Sequence, residues 1–213
     1  MRRALALERL GSLVLGRGEL EEADRVLTAA LALRRVAMER LPSADAWIAL
    51  SNVLRHVGDL AMAREDWPAA HAAFIESLEI VTPVAAETES PNARRVLSLA
   101  LERLGVLAIA ADDLERAATI FGHRLALDRP VAEVQRTPAE WRNVLSSLYW
   151  LADVAGSRGD LEAAERSYLE ALEIARAIAA HLQSTAARED VRSILRRLAD
   201  LARKQGKPDV ASL

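Results

Sequence analysis

The stretch LADVAGSRGDLEAAERSYLEAL, residues Leu151–Leu172, decides the fold because parts of it recur along the whole chain. Its opening pair, a large aliphatic residue and a small one, returns every 47 residues without insertion or deletion. The copies are Leu10-Gly11, Val57-Gly58, Leu104-Gly105, Leu151-Ala152 and Leu198-Ala199. Repeats that cannot bury their apolar faces alone must stack. The spacing therefore predicts a helical repeat array that offers an extended contact surface rather than a closed catalytic pocket.

Two further columns at the same spacing predict where helices begin. They are Ser43, Ser90, Thr137 and Ser184, and Glu19, Asp66, Asp113 and Asp160. A short side-chain oxygen at a helix N-cap accepts a hydrogen bond from a backbone N–H of the first turn. Proline follows Ser90 and Thr137, and Glu140 completes a capping box with Thr137. Each repeat is therefore predicted to start two helices.

Apolar residues between the caps recur at helical spacing. They predict a first helix over about 44–64 and a second that begins just after Asp66, joined by a two-residue turn that makes neighbours antiparallel. We expect an all-α fold, a right-handed α-solenoid of antiparallel helix pairs with about four and a half repeats and nine helices. As one domain over 1–205, it comprises repeats near 1–42, 43–89, 90–136 and 137–183, a capping helix over 184–205, and a frayed tail over 206–213.

Small residues occupy two columns where helices should approach closely. Glycine inside a helix costs about 1 kcal/mol relative to alanine, yet Gly11, Gly58 and Gly105 lie in mid-helix. The second helices contribute Ala23, Ala70, Ala117 and Ala164, and the large residues beside them are Leu27, Phe74, Phe121 and Tyr168. We expect the large residues to fill the space that the small ones leave, so that Gly58→Leu overpacks the contact.

The pattern in residues 151–172 resembles a tetratricopeptide repeat (TPR). The resemblance rests on Leu151-Ala152, the turn Gly159-Asp160-Leu161, Ala164, Tyr168 and Ala171-Leu172, and on Leu10-Gly11, Gly18-Glu19-Leu20, Ala23 and Ala30-Leu31 in the first repeat. The usual TPR is 34 residues long, so this is a long 47-residue variety. The length alone favours HEAT or armadillo repeats, but the internal pattern favours the TPR. More loosely, long repeats of this kind resemble those of bacterial multidomain signalling and defence proteins.

The prolines and the chain ends depart from the regular pattern. Pro83 and Pro130 lie 47 residues apart in second helices, which should either kink or stop near Thr82 and Arg129. The first cap column projects before Met1, so we expect the first helix to lack its opening turn and the chain to be cut from something larger. The last helix should expose an arginine-rich face as a terminal cap, and its partner helix, which would begin near Pro208, should not form.

Composition indicates a non-membrane protein without cysteine chemistry. The chain has a net charge of −3, no cysteine, and no apolar run long enough to span a bilayer. The amino-terminal apolar stretch is too short for a signal peptide, so we expect the cytoplasm. We predict no catalytic residues, no cofactor and no metal site, because His56, His71, His123 and His181 share no column or metal-ligand motif.

A nucleic-acid partner is a weaker hypothesis, raised by the arginines of the last helix. Glu189, Asp190 and Asp200 interrupt these arginines, and no aromatic residue among them offers base stacking.

The TPR resemblance implies a binding surface, because the first helix of each repeat lines the concave face in that family. The matching positions that we assign to a partner are Asn52, Arg55, Asp59, Glu102, Tyr149, Asp153, Arg196 and Asp200. The family's lysine-containing clamp for a terminal carboxylate is not reproduced, since Lys204 and Lys207 are the only lysines. Trp47 and Trp141 share a column, in which they either anchor a partner or cover the seam between repeats. Of Tyr149 and Trp150, one should face the groove and the other the seam.

These observations leave two hypotheses. The first is a non-catalytic interaction module that binds a protein or peptide on the concave face. The second is a sensor or regulatory segment of a larger bacterial signalling or defence effector. The oligomeric state and the identity of the partner remain open at this stage.

Overall fold

The structure, a computed structural model, describes residues 2–88 and 90–206. The described residues form nine α-helices and no strand. These are α1 (Arg2–Gly16), α2 (Leu20–Arg40), α3 (Ala44–Ala63), α4 (Trp67–Thr88), α5 (Pro91–Ala110), α6 (Leu114–Gln135), α7 (Pro138–Ser157), α8 (Leu161–Leu182) and α9 (Thr185–Lys204). The predicted all-α fold of antiparallel helix pairs is confirmed. Pro208 and residues 207–213 of the predicted tail lie outside the described residues.

The N-cap columns act as predicted, with one exception. The side chains of Ser43, Ser90, Thr137 and Ser184 accept hydrogen bonds from the backbone N–H three residues later, as do those of Asp66, Asp113 and Asp160. Glu19 makes no side-chain cap bond, and its longer side chain is a poorer fit to a position that favours aspartate, asparagine or serine. The column therefore predicts the helix start at α2 but not the capping bond.

The turn inside each helix pair has three residues, not the predicted two. In each turn one residue has a left-handed backbone, and these residues are Gly18, Glu65, Asp112 and Gly159. The N–H of the next residue donates to the carbonyl five residues back, as in Asp66 to Ala61 (2.9 Å) and Asp160 to Ala155 (2.9 Å). This is the Schellman pattern of a helix end. In the last three turns, the same aspartate that ends one helix by its N–H caps the next by its side chain.

The two internal prolines do not end their helices. α4 continues to Thr88 beyond Pro83, and α6 continues to Gln135 beyond Pro130. Of the two predicted alternatives, a kink or a stop, the stop near Thr82 and Arg129 is therefore wrong. Packing of the residues that follow explains the continuation, since Val84 and Ala85 lie in a buried cluster and Ala132 is fully buried.

The helices form two compact units, residues 1–107 and 108–213. In the first unit α1 packs on α2, α2 on α3, and α3 on α4. In the second unit α6 packs on α7, α7 on α8, and α8 on α9. Consecutive helices thus pack on each other, as short connections require. Within the described ranges 2–88 and 90–206, no helix is long and apolar enough to cross a membrane.

The small columns mark close helix contacts, as predicted. Ala23, Ala70, Ala117 and Ala164 are fully buried, and so are Leu27, Phe74 and Phe121. A methyl group added at Gly58 would overlap the Phe74 ring, with its carbon 2.7 Å from Cζ, and one at Gly11 would lie 2.5 Å from Leu27 Cδ2. Gly122, which is also helical, has open space around it. Glycine is therefore required where α3 meets Phe74, despite its cost to the helix.

The glycine contact yields a paired prediction. Gly58→Ala and Gly58→Leu should lower the free energy of unfolding by roughly 1–3 kcal/mol, because the added carbon overlaps a buried ring. Gly122→Ala should raise it by about 0.5–1 kcal/mol, because only the helix-propensity gain remains. Urea titration followed by circular dichroism measures both. An unchanged midpoint for Gly58→Ala would contradict the close contact.

The left-handed turn residues yield a second prediction. Glu65 has a φ of 59° where the first and fourth repeats have Gly18 and Gly159. A side chain in this conformation costs roughly 1–2 kcal/mol, so Glu65→Gly should raise the free energy of unfolding by about 1 kcal/mol despite the entropy cost of glycine. Gly159→Glu is the reciprocal variant and should lower it. Equal stability of all three proteins would show that the turn carries no strain.

Candidate binding surface

The eight residues predicted to contact a partner all lie on first helices of the repeats. Asn52, Arg55 and Asp59 are on α3 and Glu102 is on α5, whereas Tyr149 and Asp153 are on α7 and Arg196 and Asp200 are on α9. The first four belong to the first unit and the last four to the second. Each unit is therefore described separately.

A buried acid, Glu8, connects the first three helices of the first unit. Glu8 on α1 forms an ion pair of 3.0 Å with Arg34 on α2, and both side chains are more than nine-tenths buried. The same carboxylate accepts a hydrogen bond from Asn52 Nδ2 on α3. Removing one partner of such a buried pair is costly, because the other charge stays buried without compensation. The contact therefore joins three helices through one carboxylate.

The carboxylate of Asp59 pairs with two guanidinium groups, those of Arg55 and Arg103. Arg55 Nη1 donates to Asp59 Oδ2 at 2.8 Å, and Arg103 Nε on α5 lies 2.6 Å from Oδ1. Arg55 Nη2 also contacts Asn52 Oδ1 at 3.4 Å and a ring nitrogen of His56 at 2.9 Å. Burial lowers the pKa of Arg55, and the charge of Asp59 opposes that shift. The structure thus brings three of the predicted residues, Asn52, Arg55 and Asp59, into one polar network.

His56 is the neutral member of this network. Burial lowers its pKa to about 4, and the positive charges of Arg55 and Arg103 act in the same direction. Asp59 lies 3.9 Å from His56 Nδ1, but its carboxylate is already shared by the two arginines. It therefore offers little compensation for a charged imidazole.

In the second unit, Arg197 joins α9 to α7. Its Nη1 lies 3.3 Å from Asp153 Oδ1, and its Nε donates to the Tyr149 hydroxyl at 3.0 Å. Tyr168 on α8 donates its hydroxyl proton to Asp153. Burial and this hydrogen bond raise the pKa of Tyr168, so the phenol keeps its proton. Tyr149 and Asp153 are therefore brought together, through a residue that the sequence analysis placed only on the exposed arginine face.

The same ion pair occurs in both units. The pair of Asp59 with Arg103 and the pair of Asp153 with Arg197 each join residues 44 apart, and the second pair follows the first by 94 positions, two repeats of 47. Each links a first helix to the first helix of the next repeat. Much of the predicted surface is therefore engaged in contacts between repeats.

Two cavities lie side by side on the second unit's first helices. One of about 660 Å³ is lined by Asp153 and Trp150 of α7, Tyr168 of α8, and Arg197 and Asp200 of α9, among others. The other, of about 530 Å³, is lined by Tyr149 and Trp150 together with Asp190 and Ile194 of α9. Trp150 contributes to both, and its ring stacks on Phe121 with centroids 5.6 Å apart. Trp150 thus packs on the preceding repeat as well as lining both cavities, which is the contact predicted for the seam residue of the pair Tyr149 and Trp150.

Arg196 and Asp200 differ from the other predicted residues because they are largely exposed. Arg196 pairs with Glu189 at 3.4 Å and Asp200 with Arg203 at 2.7 Å, both within α9. Arg192 also pairs with Glu189. The arginine-rich face predicted for this helix is exposed, but acids on α7 and α9 offset much of its charge. This lowers the attraction that the face offers to phosphates.

Trp47 and Trp141 occupy equivalent positions and are partly buried. Each packs against a core cluster of its own unit, and each lines a small cavity between the start of a first helix and the end of its partner. Packing against the core agrees with the seam alternative.

Sequence reasoning missed the buried charges of the second helices. Arg34, Arg124 and Asp128 are all at least nine-tenths buried, and Arg124 donates to Ser146 at 3.1 Å. They occupy core positions where other repeats have alanine, serine or valine. The sequence does carry a signal for them, namely a charged residue at a repeat position that is otherwise small or apolar. Within the described parts of the chain, no cluster of acidic, histidine or cysteine side chains is suited to a metal ion.

Comparison with known proteins identifies one repeat directly. The sequence model of the family "Tetratricopeptide repeat" matches residues 145–178, from the middle of α7 to near the end of α8. The match contains the Leu151–Leu172 pattern and confirms a TPR there. No curated protein sequence matches the chain.

Solved structures share the fold at low sequence identity. A putative kinesin light chain of Podosopora anserina with nearly identical TPR-like repeats is 16% identical with a TM-score of 0.68, over 96% of this chain and 87% of that one. Apo RapI is 12% identical with a TM-score of 0.66, over 97% of this chain and 78% of that one. BtubC of P. vanneervenii is 20% identical with a TM-score of 0.64, and the match spans 87% of this chain and 66% of that one. At these identities the likeness shows a TPR-like fold alone.

The neutral His56 yields a prediction about pH. The unfolded chain binds a proton at an ordinary histidine pKa of about 6.5, whereas folded His56 does so only near 4. Because the unfolded state holds more protons between these values, the free energy of unfolding should fall as the pH is lowered from 6.5 to 4, by about 3 kcal/mol. His56→Gln should remove most of this dependence, measured by urea unfolding at pH 7 and 4.5. His123→Gln, at an exposed site, is the control, and parallel pH curves for wild type and His56→Gln would contradict a neutral His56.

Proposed function

We propose that this chain is a non-catalytic interaction module that binds a protein or peptide on a concave face formed by the first helices. The contact residues are Asn52, Arg55, Asp59, Glu102, Tyr149, Asp153, Arg196 and Asp200. TPR-like folds are generally protein-interaction modules, and one repeat here matches that family. The proposal extends this general role to a particular face.

The observation that carries the proposal is the pair of neighbouring cavities on α7 and α9. Their lining combines aromatic surface from Trp150 with charged groups such as Arg197 and Asp200. Aromatic residues and arginine are enriched at the energetic centres of protein interfaces. Polar groups placed beside an apolar surface orient a partner segment that the apolar surface retains. This combination suits a peptide with one apolar anchor and flanking charges.

Bonds to their neighbours hold the polar residues of the first unit in place. Arg55 and Asp59 are held by Asn52 and Arg103, so little side-chain entropy is lost when a partner meets them. We propose that this network offers charge complementarity to a partner segment. Within each unit, the titratable groups of the first helices pair with one another, as Asp59 does with Arg103 and Asp153 with Arg197. Such pairing supports a binding role over a catalytic one.

We further propose that the chain is a long-repeat variety of the TPR. Second helices of 21 or 22 residues, at 1.5 Å per residue, give each repeat a longer face than a 34-residue TPR offers. In this proposal residues 1–205 act as one domain, 206–213 are a tail, and the cytoplasm is the working compartment. The acids that pair with α9 arginines favour a protein partner over nucleic acid.

A charge exchange in the larger cavity tests this proposal. Asp200→Arg combined with Arg203→Asp reverses the charges of two cavity-lining residues but keeps their ion pair within α9. Peptides selected from a displayed random library against the wild type should bind this double variant at least tenfold more weakly, a loss of about 1.4 kcal/mol. Fluorescence anisotropy with the selected peptides gives the affinities.

The matched control is Glu22→Arg combined with Arg25→Glu on α2. This pair has the same spacing of three residues and lies on an exposed second helix. It should leave the affinity unchanged. Selection of no peptide, or equal affinity for the wild type and both exchanged variants, would remove the assignment of the cavity.

A further inference from the structure

A cavity of about 480 Å³ lies in the first unit, between the start of α3 and the last turns of α4. Trp47 packs against the core of the unit and also lines this cavity, as do Ile80 and Val84. Glu79 and Glu87 line it too, and both residues are exposed. We call it the Trp47 cavity. It places an aromatic and aliphatic wall beside two carboxylates.

The side chains around the Trp47 cavity carry charge of one sign. No basic residue is among the described residues that line it. Glu76, one turn before Glu79 on α4, pairs with Arg35. By contrast, within residues 2–88 and 90–206 neither Glu79 nor Glu87 has an ion-pair partner. A cationic ligand therefore displaces no ion pair when it binds these carboxylates.

The backbone around the cavity offers acceptors as well. Pro83 has no N–H, so it cannot supply the helical hydrogen bond to the carbonyl of Glu79, and both residues line the cavity. The end of α4 adds carbonyl groups that have no partner inside the helix and carry the negative end of its dipole. The start of α3 would attract anions, but it is capped by Ser43 and carries Asp45 in its first turn. A positively charged donor is the complement of these groups.

An equivalent cavity of about 470 Å³ in the second unit has a different charge. Trp141 and Glu173 line it, at the positions of the tryptophan and the first glutamate of the Trp47 cavity plus 94. Arg136 and His181, however, stand where the Trp47 cavity has a proline and its second glutamate, and Ala177 replaces the helical proline. The two cavities therefore share their aromatic wall but differ in the charge that they offer to a ligand.

We propose that the Trp47 cavity binds an arginine side chain of a partner protein. The planar guanidinium stacks on the indole ring, and its N–H groups donate to the carboxylates that line the cavity. Arginine fits better than lysine because its five donors lie in a flat fork, whereas an ammonium group neither stacks nor forks. The cavity shares no lining residue with the two cavities on α7 and α9. It is therefore a second binding site with its own ligand chemistry.

Nuclear magnetic resonance of the indole N–H groups tests the proposal. The chain has four tryptophans, and the variants Trp47→Phe and Trp141→Phe assign the two signals of interest. The probe is the peptide acetyl-Gly-Arg-Gly-amide. It should shift the Trp47 signal saturably and leave the Trp141 signal in place. The same peptide with citrulline, which keeps the planar group but removes its charge, should bind at least tenfold more weakly.

Removal of the two carboxylates is the first variant. Glu79→Gln combined with Glu87→Gln should weaken binding of the arginine peptide at least tenfold. The matched control is Glu21→Gln combined with Glu65→Gln, which removes two exposed acids of the same unit that do not line the cavity. It should leave the affinity unchanged.

Transfer of the charge to the second cavity is the reciprocal variant. Arg136→Gly combined with His181→Glu gives this cavity the charge of the first, and glycine suits position 136, where φ is 53°. The Trp141 signal should then shift with the arginine peptide. No shift at Trp47 in the wild type, an equal affinity for the citrulline peptide, or binding that survives the loss of both glutamates would overturn the proposal.

Discussion

The three-residue turn within each helix pair is the constraint on which the other regularities depend. Its left-handed residue ends one helix, and the following residue satisfies free backbone groups of that helix by its N–H. At Asp66, Asp113 and Asp160 the side chain also caps the next helix. One residue with two such roles fixes the length of the turn, because an inserted residue would separate the end of one helix from the cap of the next.

A constant spacing makes equivalent side chains meet equivalent neighbours. The pair of Asp59 with Arg103 and the pair of Asp153 with Arg197 arise in this way, as do Arg35 with Glu76 and Arg129 with Glu170 on the second helices.

One predicted alternative, the end of two helices at their prolines, failed because tertiary packing outweighed a local preference. Proline disfavours the interior of a helix, yet α4 and α6 continue because the residues after Pro83 and Pro130 are buried. Trp150, by contrast, contacts the preceding repeat, as predicted for one residue of the pair Tyr149 and Trp150. Trp150 stacks on Phe121 and still lines both cavities, because a large ring reaches beyond its own position.

The sequence by itself determined the elements of this protein, because helix caps, turns and apolar periodicity are local and repeat at one spacing. It also identified the close contact at Gly58, since a glycine in mid-helix needs a compensating neighbour. Only the tertiary structure decided which candidate surface residues are engaged with each other. Asp59 and Asp153 are held by Arg103 and Arg197 from the following repeat, and Glu8 is buried against Arg34. These contacts join residues distant in sequence, and their strength depends on burial, which no periodicity reveals.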